Sequence, residues 1–327
     1  MTRKDDLYMS GIKEKLHTIK KNLKNPGGLV FKICNYDHYQ FAPFFSDKLY
    51  IKCYYKRFMG KKLTSKQLKN PRTLNEKINW LKLYDRNPIY TVMADKVAGK
   101  EYITKIIGSE YVIPTIGVYY SVDKVPFDDL PEQYVIKCNH DGGSTYICKD
   151  KQTFNVDEVK NELRLKLKRN FFWASREWQY KNIKPCILVE QYLYDQDGNP
   201  PSDYKFFCFN GKAKYIEVVM DRFQNHREVY FTRDYELAGF GDIHYFSDDT
   251  VFLEKPEQLE KPDYFDEMIN IAEKLAKNIP LVRVDLYYSN NHIYVGELTL
   301  RPNGGVGPFS GKGDEIMGEC LVLPPRN

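Results

Sequence analysis

The chain has 327 residues, of which 42% are hydrophobic and 28% charged, with a formal net charge of +5. That length buries the core of two or three subdomains, and that hydrophobic fraction excludes a disordered chain. The charge is modest and no nucleic-acid module is recognisable, which argues against a nucleic-acid partner.

No apolar run reaches the roughly eighteen residues of a spanning helix, and Met1 to Asp6 leads into no signal-peptide core, so a cytoplasmic protein is expected. In residues 8–24, Ile12, Leu16, Ile19 and Leu23 recur at helical spacing beside a lysine face, and Asn25-Pro26-Gly27-Gly28 stops the pattern. Such a helix either packs on its own domain or lies on an anionic membrane, at the inner face. Residues 49–59 repeat the basic and aromatic theme, so residues 1–70 read as a basic, aromatic N-terminal extension.

A Thr-x-x-Glu capping box, Thr73 to Glu76, opens a helix over 73–84, and residues 88–107 keep apolar side chains at helical spacing. These define a helical subdomain over 71–130. Next, Tyr134-Val135-Ile136-Lys137-Cys138 reads as a strand that enters the small-residue loop Asp141-Gly142-Gly143-Ser144 and returns as Tyr146-Ile147-Cys148. A glycine hairpin beside a strand lysine suits a lid over a triphosphate. A charged, amphipathic helix covers 156–170.

The polar-aromatic run Arg176-Glu177-Trp178 suits either packing or contact with planar or sugar faces. The strand Ile187-Leu188-Val189-Glu190-Gln191-Tyr192-Leu193 turns polar at an edge where adenine can dock. It closes a small subdomain over 131–195. Asp203-Tyr204-Lys205 begins a strand that ends in an Asn210-Gly211 turn, with Lys205 as a second phosphate cation. Asp221-Arg222-Phe223 and Asn225-His226-Arg227 either pack or shape the acceptor side.

A helix over 263–277 leads to two alternating strands, 281–287 and 293–301. If Asn290-Asn291-His292 is a three-residue loop, Asp285 lies opposite Glu297 on a face shared with Arg283, Thr299 and Arg301. That face is either solvated, with arginine–carboxylate pairs, or holds Mg²⁺ carrying phosphate oxygens. The glycine loop 302–307 follows, with Asn303 and Gly304 as contacts, and residues 314–319 open a closing helix. These elements complete a large subdomain over 196–327.

The order of lysine strand, glycine loop, Val-Glu-Gln-Tyr-Leu edge, Asp-Tyr-Lys strand, Asp285 and Glu-x-Thr-x-Arg resembles the ATP-grasp superfamily. The runs Thr73 to Lys82, Asp95-Lys96, Lys137 to His140, Arg176 to Trp178, Asp203 to Gly211 and Gly296 to Thr299 resemble its TupA-like branch. The resemblance implies an α+β fold, two α+β subdomains clamping a nucleotide, and a carboxylate–amine ligase that uses ATP and Mg²⁺ through an acyl phosphate. It also implies a place in teichuronopeptide, capsule or other surface-polysaccharide synthesis, with a sugar acid or amino acid, or a lipid-linked glycan, as substrate.

Carried over by position, Lys137, Asp141, Gly142, Gly143, Ser144, Glu190, Gln191, Tyr192, Leu193, Asp203 and Lys205 hold the nucleotide. Asp285, Glu297 and Thr299 hold metal, while Arg301, Lys205 and Arg283 act on the transferred group. Many ATP-grasp enzymes carry Asn where Thr299 stands, and a hydroxyl is a weaker metal ligand. A glycosyltransferase remains an alternative, with Asp195-Gln196-Asp197 as its one acidic motif, and so does an ATP-grasp-type kinase. Seven scattered cysteines without a Cys-x-x-Cys pair read as reduced thiols, mostly buried.

Overall fold

The computed structural model describes residues 41–195, 198–220, 227–242 and 259–326. The helix expected over 8–24, Cys34, the core of the Asp195-Gln196-Asp197 motif and the acceptor-side segment 221–226 lie outside the described residues. So does the side chain of Arg227.

Two antiparallel sheets carry the molecule. The smaller has β1 (Thr115–Tyr119), β2 (Tyr134–Cys138), β3 (Thr145–Cys148) and β4 (Ile187–Gln191) in the order β1-β4-β2-β3. Its period of two sends Ile136, Cys138, Ile187 and Val189 into a core with Val159 and Leu163 of α6 (Val156–Leu167), the helix that covers this face. Lys137 and Glu190 therefore point the other way. β1 belongs to the 71–130 segment, yet it pairs with β4, so that segment contributes an edge strand to the smaller sheet.

The larger sheet runs β7-β6-β5-β8-β9, from β5 (Asp203–Phe209), β6 (Lys212–Met220), β7 (Arg227–Thr232), β8 (Leu281–Ser289) and β9 (His292–Thr299). One face packs Phe206, Val218 and Val284 under Phe265 and Met268 of α8 (Phe265–Leu275). The opposite face is divided. Phe207, Phe209 and Leu281 meet Leu74 and Ile78 of α3 (Leu74–Tyr84) and Met317 of α9 (Gly313–Cys320). The remainder of that face is polar and carries the candidate site.

The smaller helices are α1 (Asp47–Met59), α2 (Ser65–Lys69), α4 (Ile89–Ala94), α5 (Ala98–Ile107) and α7 (Phe171–Ser175). The helix expected over 88–107 is thus two helices. Asp95 breaks it: its Oδ1 accepts from the Val97 and Ala98 amides at 2.9 and 3.4 Å and from Asn139 Nδ2 at 2.9 Å. A side chain that satisfies the first amides of the next helix competes with helix continuation. The capping box at Thr73 forms as expected, with both reciprocal bonds present.

The metal hairpin needs a correction. Its turn has two residues, not three: Asn290 and Asn291 both take positive φ (52° and 56°), and Ser289 pairs with His292. Two positive-φ residues make a turn whose twist matches the strands. That register alone would set Asp285 opposite Gly296. A β-bulge at Gly296 shifts the pairing by one, so Asp285 still faces Glu297.

Gly318 in α9 lies against the first turn of α3. A Cβ there would collide with the Arg72 carbonyl and come 2.8 Å from the Leu74 nitrogen, both of them backbone atoms. Gly318→Ala is expected to cost about 1–3 kcal/mol in urea unfolding. An unchanged midpoint would mean that α9 has room to shift.

Candidate active site

A line of residues crosses the larger sheet on its polar face. Tyr230 is opposite Glu217, Glu217 opposite Lys205, Lys205 opposite Asp285, and Asp285 opposite Glu297. Lys205 forms an ion pair with Glu217, whose other oxygen accepts from the Tyr230 hydroxyl at 3.1 Å. Burial lowers the Lys205 pKa, but Glu217 together with Asp203 and Asp285 outweighs it and the net shift is upward. One step along the strands, Arg283 stands opposite Thr299.

Arg283 grips Asp285 with two bonds, Nε to Oδ1 at 2.7 Å and Nη2 to Oδ2 at 2.6 Å, and reaches the Thr299 hydroxyl at 3.3 Å. The Thr299 hydroxyl donates to Glu297 at 2.7 Å, and Arg283 and Lys96 each lie 3.9 Å from Glu297. The arginine–carboxylate pair that the sequence allowed on this face is thus formed between Arg283 and Asp285. Burial pushes Asp285 up to about 7 against the pull of Arg283. Glu297 also feels burial, but Lys96 and Arg283 hold it down at about 2.

The smaller sheet presents Lys137 and Glu190 to this face. Glu190 is 2% exposed and is held by Lys137 and by Lys100 of α5, the latter at 2.5 Å. Burial raises its pKa, the two lysines lower it, and the lysines win. The resemblance assigns Glu190 to adenine and ribose, but its carboxylate is already committed to two cations. Of its neighbours, Gln191 is exposed, whereas Tyr192 and Leu193 are buried.

Within the glycine loop, Asp141 and Ser144 are turned inward, and the Ser144 hydroxyl donates to Asp141 and accepts from the Cys138 amide at 3.1 Å. Only Gly142 and Gly143 form the exposed tip, where nothing lies within 4 Å of an added Cβ. Lys96 donates to the Asp141 carbonyl at 2.5 Å while facing Glu297, so it ties the loop of one sheet to the acid pair of the other.

Arg301 is 2% exposed, donates to Asp85 at 3.1 Å and lies over the Tyr90 ring at 5.1 Å. It is therefore anchored inside the protein by Asp85 and the Tyr90 ring. The loop beyond it, Pro302–Gly305, holds Asn303, Gly304 and Gly305 at positive φ of 51°, 58° and 72°. Three residues of α3 at helical spacing clamp its carbonyls: Asn75 bonds Gly307, Asn79 bonds Gly305 and Lys82 bonds Gly304, at 2.7, 2.7 and 2.8 Å. Burial depresses Lys82 to about 8 despite Glu177 nearby.

Arg176 is buried, bonds the Ala42 carbonyl at 2.7 Å and stacks on Tyr50 and Trp173 at 4.6 Å. Of the two roles open to the Arg-Glu-Trp run, packing is the one this arginine performs. His140 bonds Asn139 and the Lys166 and Arg169 carbonyls, an ordinary structural role. The six described cysteines are free thiols, five of them buried. Sequence reasoning missed Glu217, Lys96, Lys100, Asp85 and the α3 clamp as functional residues; the 75, 79, 82 spacing was the available signal.

It also missed Asp242. This carboxylate is 8% exposed; Oδ2 accepts from Asn303 at 3.0 Å and Oδ1 has no hydrogen-bond partner among the described residues. Burial, reinforced by Glu217, raises it to about 7. The folded protein therefore holds a proton that the unfolded chain loses near pH 4. The stabilising proton is fully bound below that value and is lost as pH rises through about 7. Asp242→Asn is expected to flatten this decline, with a melting temperature above wild type at pH 8 and close to it at pH 4. Parallel pH curves for the two proteins would refute the assignment.

Two antiparallel sheets, a glycine loop tied through Lys96 to an acid pair, and cations from both sheets make up an ATP-grasp architecture. The TupA-like ATPgrasp family matches residues 76–322, most of the chain, and the chain belongs to that family. No curated protein matches it. Among solved structures it is similar to D-alanine–D-alanine ligase from Bacillus anthracis complexed with ATP, at 16% identity and TM-score 0.36, over 64% of this chain and 54% of that one. It is also similar to the ADP complex of the PurK N5-carboxyaminoimidazole ribonucleotide synthetase, at 13% and 0.41, over 69% and 50%. A third is D-alanyl-alanine synthetase A from Vibrio cholerae, at 12% and 0.40, over 75% and 62%. The chain thus spans about half to three-fifths of these proteins' lengths.

No helix among the described residues is long and apolar enough to cross a membrane.

Proposed function

We propose that the chain is an ATP-dependent carboxylate–amine ligase that acts from the cytosol in the synthesis of a surface polysaccharide. The observation that carries this reading is the acid pair Asp285 and Glu297, ringed by Arg283, Lys96 and Lys205 and approached by the loop that follows Lys137. An array of cations around two carboxylates is what a phosphoryl group with its counter-ion demands.

Among the described residues no cluster of three or more His, Cys, Asp or Glu is set to hold a metal. A divalent ion would rest on Asp285 and Glu297 with Thr299 beside them, hard oxygen donors that suit a Mg²⁺ retaining water and phosphate oxygens. Bound there, the ion would neutralise charge on the phosphates.

The chain's own residues position and balance charge. Gly142 and Gly143 offer unobstructed backbone to the phosphates, and Lys137 and Lys205 supply positive charge from the two sheets. Arg283, beside both acids, is placed to bind substrate oxygens, and Arg301 would steady the acyl end. The γ-phosphoryl group passes to a carboxylate oxygen and ADP leaves. The amine nitrogen then attacks the acyl carbon, the C–O bond to phosphate breaks and an amide forms. Neither step needs a protein nucleophile.

The test is incubation of the full chain with ATP, Mg²⁺, sugar acids and amino acids. Phosphate release that requires both an acid and an amine, with a product mass of acid plus amine less water, is expected. A phosphorylated product would make the protein a kinase, and a glycoside formed from a nucleotide-sugar would make it a glycosyltransferase.

A further inference from the structure

Residues 41–70 contain eight lysines and arginines and a single acid, Asp47. That acid is turned toward the protein, 3.3 Å from Arg176 and 3.8 Å from Arg86. α1 buries Tyr50, Ile51 and Tyr55, which leaves Lys48, Leu49, Lys52 and Lys56 in one stripe along its outer side. Lys52 donates to Ser65 at 2.8 Å and so sets α2, with exposed Lys66 and Lys69, beside the stripe; Lys61 and Lys62 are exposed between the two helices.

The stripe also has an apolar part. Just ahead of α1, Phe44 is 82% exposed and Phe41 42%, and Leu49 within the helix is 44% exposed. The helix is no loose arm: Tyr50 donates to the Ala174 carbonyl at 2.7 Å, and the Arg176 guanidinium stacks on Tyr50 at 4.6 Å. Lysines around protruding aromatic and aliphatic side chains on a rigid base complement negative headgroups above a hydrocarbon layer. A soluble polyanion offers nothing to Phe44. Residues 1–40 are a poor occupant of this face, since they carry eight lysines and arginines against four acids.

We propose that the outer side of α1, with Phe44 and the neighbouring lysines, docks the protein on an anionic lipid surface. The proposal is independent of the chemistry of the site. The test is flotation of the full chain with vesicles of phosphatidylcholine alone or mixed with phosphatidylglycerol, at low and high salt.

Co-flotation with the mixed vesicles only, released by salt, is expected. The triple variant Lys48→Glu, Lys61→Glu, Lys62→Glu should weaken it on the order of a hundredfold. Phe44→Asp should weaken it several-fold; all four positions are exposed, and an unchanged melting temperature certifies each variant. Failure of the unaltered chain to float, equal flotation with neutral vesicles, or wild-type flotation of the triple variant would overturn the proposal. So would heparin binding lost in the triple variant together with indifference of flotation to Phe44→Asp, which would make the face a soluble-polyanion site.

Discussion

Glu297→Gln and Asp285→Asn are each expected to lower ATP turnover by roughly 10³-fold or more while the protein stays folded. Both carboxylates lie opposite one another at the centre of the polar face. Their structural roles differ. Glu297 stands 3.9 Å from each of its cations, which hold its carboxyl low, so an amide there gives up a charge that stabilises the fold near neutral pH. Asp285 has a side chain 6% exposed and carries both bonds from Arg283. Removing its charge leaves a nearly buried guanidinium with Glu297 as its nearest acid, but burial already pushes the Asp285 carboxyl up to about 7, so relief of that buried charge offsets part of the lost pair. Steady-state ADP release and urea unfolding of both variants separate the two effects. Near-normal turnover in either variant would remove that residue from the metal site.

The parts of this site that were legible in the sequence are those that depend on alternation alone. On either side of Gly296 the last hairpin alternates, with Arg283, Asp285, Glu297 and Thr299 on the chemical face and Val282, Val284, Leu298 and Leu300 in the core. The register across the hairpin was another matter. A three-residue loop and a two-residue loop followed by a bulge give the same pairing of Asp285 with Glu297, and the available sign of the bulge was the apolar pattern changing parity across Gly296, from Ile293 and Val295 to Leu298 and Leu300. The β5–β6 hairpin shows the opposite outcome. Its Asn210-Gly211 turn was plain, but a bulge between Phe207 and Cys208 moves Glu217 opposite Lys205 where an unbroken ladder would put Ile216. The partner of Lys205 was hidden for that reason. Partners that arrive from other segments, such as Lys100 on Glu190 or Asp85 on Arg301, leave no periodic trace at all. Asn75, Asn79 and Lys82 did leave one, as a polar stripe on the buried side of a helix, which makes sense only once the loop they clamp is in view.

The largest stability effect is expected at Glu190. Its carboxylate lies between Lys100 and Lys137 with 2% of its surface exposed, so Glu190→Gln leaves two ammonium groups facing each other in a nearly dry space. The expected loss is about 3–5 kcal/mol near neutral pH. The pH dependence identifies the cause. In the wild type the folded pKa of Glu190 is held below its unfolded value, so its contribution is complete above about pH 4.3 and is lost as pH falls through the folded value. In the variant that acid-side loss disappears. A different dependence replaces it: burial already lowers Lys100, and without the opposing carboxylate it releases its proton still more readily in the folded protein than in the unfolded chain, so stability climbs as pH rises toward 10. Lys100→Met added to Glu190→Gln leaves a single lysine, and should recover most of the loss while Lys137 remains available to phosphate. Urea midpoints of the wild type, both single variants and the double variant across this pH range supply the cycle. If Glu190→Gln instead weakened ATP binding at unchanged stability, the carboxylate would be a nucleotide contact, and the ion triad a feature of the ligand-free protein alone.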